Sequence, residues 1–145
     1  MIYIAGDKFG YPVVKWVSEY LTDKHILFEN LAVSDSQSDE KLEIFLPKVA
    51  SNVLSSADNM GIVSCGTGVG VEVGINKFKG IRACLANEPK IAKWARIYDK
   101  CNVLCIPGWE TTKNQVFLIL DEWFSNTYDG DSGRLNMFKT FDSWK

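Results

Sequence analysis

No apolar run in this chain of 145 residues approaches the roughly 20 consecutive apolar residues that span a bilayer, so no membrane-crossing helix is expected. The opening residues, Met1-Ile2-Tyr3-Ile4-Ala5-Gly6-Asp7, lack a basic n-region, a long apolar stretch and a small-residue cleavage site, so no signal peptide is expected either. The four cysteines, Cys65, Cys84, Cys101 and Cys105, form no Cys-x-x-Cys pair. Reduced thiols packed in the core of a cytoplasmic protein are their simplest reading. Cys101 and Cys105 share a face of a strand period, but His25 is the one histidine of the chain, and a metal site lacks the other ligands it requires. A formal net charge of −2 excludes a general nucleic-acid or membrane-surface binder. There is no internal repeat and no low-complexity segment.

What remains is an ordinary globular composition, 46% apolar and 23% charged, enough for one core at this length. Short apolar runs alternate with helical patterns. Ile2–Ala5, Ile26–Leu31, Met60–Cys65, Ile81–Ala86 and Val103–Ile106 read as buried strands. Pro12 opens a helix at a position where its missing N–H costs nothing, with Val13, Val17, Tyr20 and Leu21 on one face. Leu42, Phe45, Leu46, Val49 and Val53 recur at helical spacing around Pro47, which predicts a kink or a start there. Asn87 is placed to cap a helix with Ile91, Trp94, Ala95 and Tyr98 inward, and Thr111 to cap one with Val116, Ile119, Leu120 and Trp123 inward. The tail from Asp129 is polar, with Phe138 and Phe141 as anchors. This alternation implies βαβ units and a parallel sheet covered on both faces, a single α/β domain over residues 1–145. Ligands in such sheets bind beyond the carboxyl ends of the strands, which points to the loops Gly6–Gly10, Cys65–Gly70 and Ile106–Thr112.

The chemistry concentrates in Cys65-Gly66-Thr67-Gly68-Val69-Gly70. Alternate glycines admit φ > 0 and close approach of a ligand, and a helix behind them presents unpaired N–H groups. The loop is a cradle for an anion or a developing oxyanion. It is not a Walker A loop, because no Lys-Ser or Lys-Thr follows, and the dinucleotide fingerprint fails in both registers. A thiol at such a place tends to a lowered pKa. A thiolate beside an oxyanion cradle suits proton abstraction next to a carbonyl, the demand of aldose–ketose isomerisation. Thr67 is placed to hydrogen-bond the enediolate oxygen. The plainer alternative is that Cys65 only packs. Glu72 reads as a favourable charge in the first helical turn, with a carboxylate base as the lesser reading.

Gly6-Asp7 with Gly10, the Cys65–Gly70 loop, Asn76-Lys77, Gly80-Ile81-Arg82-Ala83, Ala95-Arg96, Asn102-Val103-Leu104 and Tyr128-Asp129-Gly130 together resemble the family of ribose-5-phosphate isomerase B and galactose-6-phosphate isomerase. The resemblance implies a three-layer α-β-α, Rossmann-like fold around a five-stranded parallel sheet, with no metal or organic cofactor. It also implies a sugar or sugar phosphate as small-molecule partner, and a homodimer or homotetramer with active sites shared between subunits, the tail from about residue 129 packing on a partner. It assigns the proton shuttle to Cys65, the substrate oxygens to Thr67, Gly66, Gly68 and Gly70, and sugar positioning to Asp7 and Asn76. Tyr98-Asp99 stands where the family has His-Asn, the histidine being its ring-opening acid–base group; Lys8 stands where it has histidine, Trp109 where it has a phosphate-binding arginine, and Phe45-Leu46 where it has Asp-Tyr. Of two C-terminal arginines only Arg134 remains, Phe138 holding the second place. Lys8 and Arg134 are then the expected anion site. Two functional readings follow: an aldose–ketose isomerase on a pentose or hexose phosphate, or an altered or non-catalytic homologue that binds a sugar or serves as a partner subunit.

Overall fold

The structure, a computed structural model, describes residues 1–35 and 37–144. The runs of Ile, Val and Ala become strands because β-branched side chains pack well on a pleated surface. They form β1 (Ile2–Gly6), β2 (Phe28–Asn30), β3 (Met60–Cys65), β4 (Ala83–Leu85) and β5 (Val103–Pro107). All pairings are parallel, in the order β2-β1-β3-β5-β4. The helices are α1 (Tyr11–Asp23), α2 (Leu42–Leu54), α3 (Val69–Ile75), α4 (Pro89–Asp99), α5 (Lys113–Ser125) and α6 (Ser132–Ser143).

Period-two alternation divides the strand side chains. Ile62, Leu104 and Ile106 face a core closed by α1, α4 and α5. Val63, Cys65, Val103 and Cys105 face a second core closed by α2 and α3. The expected three-layer α/β fold is therefore present. Trp123 on α5 is fully buried in the first core, where truncation to alanine typically costs about 3–5 kcal/mol. The chain leaves β1 for β2 on one side and returns to β3 on the other, so a crevice opens beyond the carboxyl ends of β1 and β3.

Several local expectations are corrected. Helix α2 begins at Leu42 and continues through Pro47; the carbonyl left without its partner is that of exposed Glu43, which water can satisfy. The N-cap of α4 is Glu88, not Asn87, with Pro89 taking the first turn. The N-cap of α5 is Thr112, not Thr111: its hydroxyl accepts from the Gln115 amide while Gln115 returns to the Thr112 amide, a full capping box. On α4 the buried stripe runs through Ala92 and Ala95 toward half-buried Arg96, while Trp94 and Tyr98 flank it and stay half-exposed. The edge strands β2 and β4 are each three residues long, shorter than the apolar runs suggest, since each has a ladder partner on one side only. The tail is the helix α6, started by the Asp131 carboxylate accepting from the Arg134 amide. It docks on its own chain through buried Phe138 and the Gly80 amide donating to Asp142. No helix among the described residues is long and apolar enough to cross a membrane. Ser36, within the polar stretch Ser34–Glu40, and Lys145 lie outside the described residues.

Candidate active site

The three expected loops meet in one crown. The β3–β5 ladder runs past the strand ends, with the Gly108 amide donating to the Cys65 carbonyl (2.8 Å) and the Trp109 amide to the Gly66 carbonyl (2.9 Å). The first loop presses against both. A Cβ on Gly10 would stand 2.2 Å from the Ser64 carbonyl oxygen, and one on Gly108 would stand 2.1 Å from that of Phe9. Only glycine allows backbone to approach backbone so closely. The Ser64 hydroxyl, fully buried, donates to the Ile106 carbonyl (2.6 Å) and ties β3 to β5 directly beneath the crown.

Cys65 ends β3 with its side chain on the α2–α3 face, 6% exposed. Its Sγ lies 4.0 Å from Thr67 Oγ1. Gly70 flanks the sulfur, since a Cβ there would stand 3.7 Å from Sγ and 3.1 Å from Leu42. Gly68 turns the loop into α3 at φ 74°, a conformation natural to glycine. The Val69 amide donates to Thr67 Oγ1 (3.2 Å), which leaves the threonine O–H to donate elsewhere. The amides of Gly66, Thr67, Gly68 and Gly70 meet no acceptor among the described residues. Because α3 is only seven residues long, these loop amides, rather than a long helix dipole, are the donors the loop offers.

Asp7 is nearly buried, and its Oδ1 accepts from the amides of Phe9 (3.0 Å) and Gly10 (2.9 Å). It therefore fixes the first loop and keeps its second oxygen for other partners. The Lys8 amide donates to Asp39 Oδ1 (3.1 Å), and the Lys8 ammonium lies over the Phe9 ring at 5.1 Å. Lys41 grips the other oxygen of Asp39 at 2.6 Å. That ammonium, then the Lys8 amide, holds Asp39 below the usual carboxylate range. Asp39 in turn raises Lys41, which also feels Glu43 and Asp7. Asp39 and Lys41 were missed by sequence reasoning; the visible signal was a polar segment leading into the helix whose Leu42 touches the glycine loop.

Other expected site residues stand elsewhere in the chain. The Asn76 amide group accepts from the Ala83 amide (2.9 Å) and donates to its carbonyl (3.1 Å), while Glu72 Oε1 accepts from the Leu85 amide (2.8 Å). Both side chains thus satisfy the open edge of β4 that an added strand would use. Tyr98 and Asp99 end α4, the Arg134 guanidinium lies over the Tyr98 ring at 5.4 Å, and Arg134 pairs with Asp129. This cluster sits at the amino ends of the strands. Cys65 sits at the carboxyl ends, removed by the length of β3, roughly 17 Å at about 3.3 Å per residue. One chain does not bring the two groups together.

Burial pushes the Cys84 thiol up to about 11 and the Cys101 thiol to about 12, and raises Cys105 well above its ordinary value. These three thiols are protonated packing groups at neutral pH. Among the described residues no three of His, Cys, Asp and Glu are grouped to hold a metal ion.

The family model described as "Ribose/Galactose Isomerase" matches residues 2–138. The chain belongs to that family. Members of the ribose/galactose isomerase family are aldose–ketose isomerases of sugar phosphates. The chain is 34% identical over 130 residues to a probable ribose-5-phosphate isomerase B of Mycoplasma genitalium, covering 89% of this chain and 86% of that one. It is 31% identical to the galactose-6-phosphate isomerase subunit LacB of Clostridium acetobutylicum, covering 98% of this chain and 82% of that one. Among solved structures, the ribose 5-phosphate isomerase of Thermotoga maritima superposes with a TM-score of 0.91 at 30% identity, covering 99% of this chain and 97% of that one. The Mycoplasma genitalium ribose-5-phosphate isomerase B with bound ribulose-5-phosphate gives 0.85 at 32% identity, covering 96% and 92%.

Proposed function

We propose that this protein is an aldose–ketose isomerase of a pentose or hexose phosphate in which Cys65 is the base. The observation that carries the reading is the Cys65 sulfur beside the Thr67 hydroxyl at 4.0 Å, next to a loop whose amides lack acceptors among the described residues. In the forward direction the Cys65 thiolate takes the proton from C2 of the open-chain aldose. The C2–H electrons form a C1–C2 double bond and the carbonyl electrons move onto O1. The Gly66, Gly68 and Gly70 amides and the Thr67 hydroxyl hold the enediolate oxygens, a charge-stabilising arrangement that strengthens as the oxyanion develops. The Cys65 thiol returns its proton to C1, the O2 proton passes to O1, and the ketose results. No net redox partner is required.

Asp7 positions the sugar with its unshared oxygen, and Lys8 meets the phosphate as a point charge. Tyr98, Asp99 and Arg134 complete the site from a second copy of the chain in a homodimer or homotetramer, since within one chain they lie at the opposite end of the sheet. Asn76 contributes by holding β4. The proposed setting is cytoplasmic. The similarity to a galactose-6-phosphate isomerase subunit over 98% of this chain favours one further reading, a chain that is active only with a related partner. The test is a panel of pentoses, hexoses and their phosphates with the purified protein in D2O. Deuterium at C2 and interconversion of aldose and ketose are expected for at least one phosphate. Absence of both, alone and with a related chain added, refutes the isomerase reading.

A further inference from the structure

The indole of Trp109 lies directly on the catalytic loop. A Cβ on Gly66 would stand 2.5 Å from Trp109 Cε2 and 2.6 Å from Cζ2, so the ring occupies the space that any side chain at position 66 would take. Its backbone is fixed by the Trp109 amide on the Gly66 carbonyl at 2.9 Å. Phe9 braces it edge-on, ring centroids 5.6 Å apart at 69°. Even so braced, Trp109 is 55% exposed and Phe9 46%. Leaving a large ring in water forgoes the favourable burial that packing elsewhere would provide. Here backbone bonds and a missing side chain hold it in place on Gly66 of the glycine loop.

We propose that Trp109, braced by Phe9, is the sugar-binding platform of the site, taking the apolar C–H face of the sugar while Cys65 works on its reacting carbons. This rests on the isomerase reading above. A sugar whose enediolate oxygens rest on the Gly66 and Gly68 amides lies against the residue whose Cα carries the indole. Sugar C–H groups are weakly positive, and the face of an aromatic ring is negative. Of the two nearby cations, Lys41 is engaged by Asp39 at 2.6 Å and Lys8 lies over Phe9. Both cations already have a partner, while the rings of Trp109 and Phe9 remain open to solvent. The platform is a binding element made equally with ground state and transition state, so its loss changes KM and leaves kcat in place.

The test compares wild type with Trp109→Ala, Trp109→Leu and Trp109→Phe by calorimetry and turnover. The probes are D-ribose 5-phosphate, D-galactose 6-phosphate, unphosphorylated D-ribose and inorganic phosphate. Trp109→Ala and Trp109→Leu should weaken every sugar that wild type binds by about tenfold, which is about 1.4 kcal/mol. Trp109→Phe should recover to within about threefold, kcat and inorganic phosphate affinity staying within about twofold. Trp109→Leu keeps bulk on Gly66, so a folded variant without a π-face is available if alanine unfolds the loop. Sugar affinity unchanged in Trp109→Leu, parallel loss of inorganic phosphate, or no sugar binding to wild type overturns the platform. Sugar binding that obeys the series in a protein without C2 exchange overturns the isomerase reading and leaves the platform standing.

Discussion

Gly108→Ala should unlatch the crown without touching any reacting group. The added methyl would stand 2.1 Å from the Phe9 carbonyl oxygen and 2.9 Å from the carbonyl carbon, where an unstrained carbon–oxygen contact needs more than about 3 Å. Both obstacles are backbone, so no rotamer change relieves them, and the loops carrying Phe9 and Trp109 must separate by roughly 1 Å. Overpacking of this kind costs about 1–3 kcal/mol, and splitting the Phe9–Trp109 pair forfeits about 0.5–1.5 kcal/mol more. For a chain of this length each kcal/mol lowers Tm by about 2–4 °C, so a fall of roughly 3–18 °C is expected. The separated rings bind the sugar and do not react with it, so KM on the folded protein should also rise while kcat changes little. The control is Gly70→Ala, where the nearest atom is the flexible Leu42 Cδ2 at 3.1 Å and stability should change by less than about 1 kcal/mol. Urea titration and calorimetric melting of both variants, with turnover measured on the folded protein, make the comparison. A Gly108→Ala protein as stable as Gly70→Ala, with the wild-type KM, would refute the argument that the loops are locked through that contact.

Asn76→Ala should destabilise by about 0.5–1.5 kcal/mol, because it removes the two exposed hydrogen bonds that hold the Ala83 backbone at the β4 edge, and its KM should stay near wild type; a raised KM at unchanged stability would place Asn76 on the sugar. Lys8→Ala should raise KM for a sugar phosphate more than for the free sugar, and equal effects on both would remove Lys8 from the phosphate site. Tyr20, whose hydroxyl donates to Asp121 at 2.7 Å, has its pKa raised by burial and then by that carboxylate. A raised folded-state value means its stabilisation is complete below the unfolded value near 10 and declines as pH climbs above it. Tyr20→Phe should therefore be less stable than wild type by about 1–2 kcal/mol at pH 7, with the gap narrowing from pH 10 upward in urea titrations; a gap that widens there would contradict the assigned cause.

The central strands were legible because β1, β3 and β5 are short β-branched runs whose residues meet apolar neighbours on both faces. The edge strands were overestimated, since Ile26 and Ile81 read as strand by hydropathy while ladder pairing ends sooner. Helix α6 was illegible as a helix. Only Phe138 of it is buried, and its start depends on an Asp131 cap amid polar residues. Trp94 and Tyr98 follow a helical stripe yet stay half-exposed, because the small residues Ala92 and Ala95, which apolar size alone does not pick out, centre the face that is buried. At the site, Cys65, Thr67 and the glycines were visible as one local motif. Asp39 and Lys41 were not, because the Lys8–Asp39 bond joins residues 31 positions apart. The separation of Tyr98, Asp99 and Arg134 from Cys65 is likewise a property of the topology, since consecutive helices descend to the far end of the sheet.

Hydrogen isotope exchange at C2 of the sugar, followed by proton NMR in D2O with wild type and Cys65→Ala, tests the central claim most directly. A general base contributes about 10²–10⁴-fold, so wild type should exchange the C2 proton, and Cys65→Ala should exchange it at least about 100-fold more slowly while still binding the sugar phosphate. Exchange by Cys65→Ala at the wild-type rate would show that another group moves the proton and would contradict the account.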